Sequence, residues 1–124
     1  MNVIRASEAS RFELPGTEFT ALAAPSRGSA DVCTWQITVA PGHVSDQAHT
    51  LDRTEVFMVT AGAIRLTDGG DLLGPGDAAV VPAGSAILLA NPGDEPARAY
   101  IAIGAGFSAT MADGTALGTP PWAQ

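Results

Sequence analysis

The sequence predicts an all-β fold, a sandwich or small barrel, and three observations carry that prediction. No segment longer than ten residues holds a helical hydrophobic period. Turn residues recur about every eight to twelve positions, the spacing of short antiparallel strands joined by tight loops. Gly and Pro are abundant, with 14 and 9 among 124 residues, and charged residues make up only 15%, a mixture that suits turns better than helices.

The elements follow in order. Residues 18–24 read as a strand stopped by Pro25, and residues 26–30 as a turn. Residues 31–40 alternate most clearly: Cys33, Trp35, Ile37 and Val39 share one face, with Thr34, Gln36 and Thr38 on the other. Pro41 and Gly42 end that run. Strands are expected over 54–60 and 63–67, with Asp68-Gly69-Gly70 as a hairpin turn. Short strands fit 72–73, 78–81 and 86–90, separated by Gly74-Pro75-Gly76 and Pro82-Ala83-Gly84. Residues 97–103 form a late strand, and the tail 107–124 reads as loop-rich. The length suits one domain, 1–124, with no linker, repeat or low-complexity tract.

Composition narrows the function. The net charge is −7, and all six basic residues are Arg. An acidic chain without a basic cluster is not expected to bind nucleic acid or an anionic membrane surface. Without Lys there is no Schiff-base chemistry. Cys33 is the single cysteine and lies in an alternating apolar run, so it reads as core rather than nucleophile. The first residues have no apolar signal-peptide region, and no apolar run approaches a membrane span of about 20 residues. A cytoplasmic protein is expected. The glycine pairs introduce no helix and make no phosphate loop, and Gly84-Ser85-Ala86 lacks the second glycine of a nucleophile elbow.

Two stretches carry the chemistry. Gly42, His49, Leu51, Glu55 and Gly62 make one frame, and Gly76, Pro82, Gly84, Ile87 and Asn91 make another. Their spacing resembles the two signature motifs of the cupin superfamily. The resemblance covers about residues 31–103 and implies an antiparallel jelly-roll β-barrel, the double-stranded β-helix. The tail, ending in Pro-Pro-Trp-Ala, resembles those of some small bacterial cupins. In that family a metal is usually held by three histidines and one glutamate. Here His49 and Glu55 match, while Leu51 and Ile87 occupy the other two histidine positions. The resemblance also implies a homodimer formed through sheet faces and exchanged terminal strands.

If residues 49–59 stay extended, His49, Leu51, Arg53, Glu55, Phe57 and Val59 share a face, and the resemblance turns that face inward. Ser85, Ile87, Leu89 and Asn91 share a face of the second motif. The interior then offers one imidazole and one carboxylate among apolar walls, the make-up of a small-molecule pocket. Leu51, Phe57, Ile87, Leu89, Arg53 and Trp35 are the candidate ligand contacts; Arg53 reads first as a solvated turn residue and otherwise as a clamp for an anion, and Trp35 and Phe57 read first as core. His49 and Glu55 are the candidate acid–base pair, with the imidazolium countering the buried carboxylate. A kept structural ion pair is the alternative. Hydrocarbon side chains cannot ligate an ion, so no cofactor is expected. A divalent transition metal fits only if His43 joins His49 and Glu55 in a two-histidine, one-carboxylate triad. Three functions remain open: a binding barrel for a largely apolar molecule, with metal-free acid–base turnover; a metal-dependent dioxygenase, isomerase or cyclase; and a non-catalytic dimeric sensor or structural module. Trp122 needs a docking surface, at the barrel mouth or on a second subunit.

Overall fold

Strict alternation puts Cys33, Trp35, Ile37 and Val39 on the buried face of one strand, β3 (Val32–Val39), and the rest of the fold assembles on that face. The computed structural model describes residues 1–124. Before β3 come β1 (Arg11–Leu14) and β2 (Thr17–Ala21). After it come β4 (His49–Leu51), β5 (Glu55–Ala61), β6 (Ala78–Val81), β7 (Ala97–Gly104), β8 (Ala109–Met111) and β9 (Ala116–Gly118). A six-stranded sheet has the order β1-β2-β3-β7-β5-β6, and a three-stranded sheet has the order β4-β8-β9. Every pairing is antiparallel.

Single bridges widen the smaller layer. His49 pairs with Ile87, Val44 and Arg65 both pair with Ala90, and Ile64 pairs with Leu73. The two layers face each other as a jelly roll. Register builds the inner face of the large sheet in rows. One row runs Phe57, Ile101, Trp35, and the next runs Val59, Ala99, Ile37, Phe19, Phe12. All but Phe12 are buried.

Several elements differ from the sequence expectation. β2 is shorter than 18–24, although Leu22 and Ala23 still exchange backbone hydrogen bonds with Thr34. β1 was not anticipated, since its apolar residues, Phe12 and Leu14, are too few to declare a period. The stretches 63–67, 72–73 and 86–90 pair only through isolated bridges, because prolines and glycines on their flanks stop each ladder from propagating. The tail is loop-rich but not featureless. It forms β8, β9 and a 3-10 turn, Pro121–Ala123. The expected glycine turns hold: Gly42, Gly62, Gly76 and Gly84 all have positive φ. Gly62 also needs the space, since a Cβ there would lie 2.7 Å from the Pro96 carbonyl oxygen. No helix is long and apolar enough to cross a membrane.

Candidate functional site

The inner faces of the two layers leave between them a cavity of about 440 Å³, lined by 23 residues of which 14 are hydrophobic. That volume is in the range of small-molecule sites. The two sequence frames meet there through an arrangement that a single extended strand could not give. Residues 49–51 belong to the small sheet, where β4 is held between β8 and the Ile87 segment. His49 and Ile87 exchange backbone hydrogen bonds of 3.0 and 2.8 Å. The chain then bends at Asp52–Thr54 and enters the large sheet at Glu55. The bend is pinned by Asp52, whose carboxylate and backbone N–H both bond Ser108, accepting from its N–H at 2.8 Å and donating to its carbonyl at 3.1 Å. His49 and Leu51 therefore look inward from one layer, and Glu55 and Phe57 look inward from the other.

The bend corrects the reading of Arg53. Alternation lapses at 52–54, so Arg53 is exposed and outside the cavity lining, lying beside Gly104 and Gly106. The other candidates are all on the wall: His49, Glu55, Leu51, Phe57, Ile87, Leu89, Trp35 and His43. His43 does not complete a triad. No three His, Cys, Asp or Glu side chains converge closely enough to hold an ion. Its ring instead packs against Gly16 in the turn between β1 and β2. Leu51 and Ile87 are buried on the wall where the family's motif places imidazoles, so the donors present do not fit a four-ligand ion.

The charge state of the pair is also corrected. The molecule's one ion pair is Arg11 with Glu18 on the surface, so no salt bridge joins His49 to Glu55. Burial alone pushes the Glu55 carboxyl from 4.5 up to about 8, and burial alone lowers the His49 imidazole below 6.5. At neutral pH both are uncharged. A neutral imidazole can take a proton and a carboxylic acid can give one, so the site holds an acid and a base in matched states. Glu55 is 3% exposed, and its Oε2 has no hydrogen-bond partner.

Part of the cavity wall is built by residues the two frames do not contain. Trp122 stacks on Phe19 with ring centroids 3.8 Å apart, and Phe107 packs on Trp35 at 5.9 Å. The tail is stitched down by its backbone. The Trp122 carbonyl accepts from Arg27 at 2.9 Å, the Ala123 carbonyl from the Cys33 thiol at 3.3 Å, and the Gln124 carbonyl from the Ser26 hydroxyl. Trp122 thus docks on its own barrel. Phe19, Phe107 and Met111 also line the cavity. β8 and β9 are three residues each, too short for alternation to mark an inward face.

A family model for the cupin domain matches residues 35–104. No curated protein matches the chain. Among solved structures, the chain is similar to a sugar phosphate isomerase of the cupin superfamily from Silicibacter pomeroyi. Identity is 27% over 80% of this chain and 67% of that one, with a TM-score of 0.66. It is also similar to the polyketide cyclase RemF from Streptomyces resistomycificus, at 17% identity over 84% and 79% of the two chains and a TM-score of 0.73. An RmlC-like cupin protein from Ralstonia eutropha, 7% identical, covers 97% of this chain and 78% of its own length with a TM-score of 0.74. Its likeness in fold extends over the tail.

Proposed function

Because the chain belongs to the cupin domain family, we propose that its barrel binds a small, largely apolar organic molecule without a tightly held metal. His49 and Glu55 are the polar anchors and the acid–base pair of any turnover. The observation that carries this reading is the 440 Å³ cavity itself, with hydrocarbon at the positions of Leu51 and Ile87 and one neutral imidazole and one neutral carboxyl on its wall. A site of this kind holds its guest by shape and desolvation, with a few aimed hydrogen bonds. A phosphate ester, the substrate class in the name of the Silicibacter pomeroyi protein, suits it poorly. None of the six Arg side chains is on the wall, and there is no Lys.

Restoring the missing donors tests the reading constructively. Leu51→His with Ile87→His is expected to bind Zn²⁺ or Ni²⁺ near-stoichiometrically after purification, and His49→Ala in that background to lose it. Metal analysis of the parent decides the other side. A parent that retains near-stoichiometric transition metal, lost in His49→Ala, overturns the metal-free reading.

We further propose that a second copy of the chain covers the outer face of the large sheet. Support comes from a contiguous apolar patch there. Val80 on β6 lies beside Val56 on β5, and Met58 beside Tyr100 on β7. Val80, Met58 and Tyr100 are all exposed, Val80 at 68%.

A further inference from the structure

We propose that the guest of this cavity is an uncharged, flat aromatic molecule bearing a carbonyl-type oxygen that accepts hydrogen bonds from the wall, an inference that rests on reading the cavity as a small-molecule site. Three properties of the wall select that chemistry: its rings, its lack of positive charge and the Glu55 carboxyl.

The rings come first. Phe19 and Trp122 lie nearly parallel, 10° apart, and Trp35 packs on Phe107 at 26°. Trp35 also meets Trp122 edge-on at 6.4 Å. Phe57 continues this surface as the cross-strand neighbour, through Ile101, of Trp35. A flat π-system finds both faces and edges to pack against, whereas an aliphatic guest of equal volume leaves those ring faces poorly matched.

Charge comes second. An anion entering the cavity would shed its water with no guanidinium or ammonium on the wall to replace it. His49 offers no charge either, since burial keeps it neutral. The guest is therefore uncharged.

Hydrogen bonding comes third. Three wall residues carry a buried polar atom without a partner: Trp35 Nε1, Trp122 Nε1 and Glu55 Oε2. The two indole nitrogens can only donate, and they are closed off from the cavity, with no surface that a guest could reach. Glu55, which holds its proton at neutral pH, also has a hydroxyl to give. The Glu55 carboxyl on the wall is therefore the donor that a guest oxygen can meet. A cationic guest finds no buried counter-charge, since Glu55 holds its proton and the other carboxyl on the lining, Asp46, is exposed. A hydrocarbon guest leaves the Glu55 carboxyl unpaired.

A matched trio of probes tests this with the full chain: acetylnaphthalene, ethylnaphthalene and naphthoate, titrated calorimetrically at neutral pH. These share a ring system and differ only in the side group. The neutral ketone is expected to bind about tenfold tighter than the hydrocarbon, with the anion weakest. Glu55→Gln, which keeps a donor of the same shape, is expected to hold the ketone's advantage within about threefold, and Glu55→Leu to abolish it. Naphthoate binding tightest, ethylnaphthalene matching the ketone, or an undiminished ketone preference in Glu55→Leu would each overturn the substrate class while leaving the binding barrel intact. If all three probes fail to bind folded wild-type protein, the small-molecule reading falls, and this inference falls with it.

Discussion

At the scale of single residues, the protonated Glu55 has a consequence for stability. In the fold it keeps its proton up to about pH 8, whereas an ordinary glutamate loses it near 4.5. Across that interval the folded state binds more protons than the unfolded one, so stability falls as pH rises. His49 has the opposite sign. Its folded value is lowered, so its contribution is present above 6.5 and lost as pH falls below it. Burial raises Cys33 from 9.0, so its effect begins only above that. Between pH 6.5 and 8, Glu55 acts alone, and its cross-strand neighbours Val81 and Ile103 carry no charge. Unfolding by denaturant is expected to lose on the order of 2 kcal/mol over this window in the parent and almost none in Glu55→Gln. A flat parent profile would show that Glu55 ionises normally. The identities of His49 and Glu55 as the interior polar pair were legible from the resemblance of their frame to the cupin motif. Their neutrality was not, because desolvation depends on what the opposite layer places over them.

At the scale of elements, the two frames hold through their turns and staples. Asn91 is fully buried, and its side chain donates to the carbonyls of Val39 and Glu95 at 3.1 and 2.8 Å and accepts from the Gly93 N–H at 3.0 Å. It ties the end of β3 to the loop before β7. Replacing Asn91 with Leu strands two carbonyls and an N–H, and chemical denaturation is expected to register a loss of about 2 to 4 kcal/mol. Gly62→Ala combines a positive φ with a clash against Pro96 and is expected to cost more than about 1 kcal/mol. An unchanged denaturation midpoint in Gly62→Ala would mean that the end of β5 tolerates a side chain. Long alternating strands such as β3 and β7 were readable because each buries a full face. β1, β8 and β9 were not, since three or four residues carry too few apolar positions to show a period. The bend at 52–54 was hidden for a related reason. A change of sheet leaves the inward residues inward, so the apolar pattern runs through it nearly unbroken.

For the whole molecule, the tail and the outer sheet face matter most. Trp122→Ala removes the ring stacked on Phe19 and enlarges the cavity it lines. It is expected to cost about 3 kcal/mol of stability and to speed exchange of any bound aromatic probe, measured by stopped-flow fluorescence. Unaltered exchange would mean that guests enter elsewhere. The outer face predicts association. The parent is expected to sediment at twice the 12.5 kDa monomer mass, and Val80→Glu, which sets a carboxylate in the apolar patch, at the monomer mass. A parent that sediments as a monomer at micromolar concentration disposes of the dimer.

The sequence by itself determined the all-β class, the inward face of β3, the two motif frames and the hydrocarbon at positions 51 and 87. The class and the face of β3 depend on local periodicity and turn chemistry, which neighbouring residues settle among themselves, while the two frames and the meaning of positions 51 and 87 come from the resemblance to the cupin motifs. Only the tertiary structure decided that Arg53 leaves the site, that His43 packs on Gly16, that Glu55 stays protonated and that Trp122 lines the cavity. These depend on contacts between residues far apart in the chain. Burial, and through it charge, is set by whichever distant segment lies across the cavity, and no local pattern encodes that.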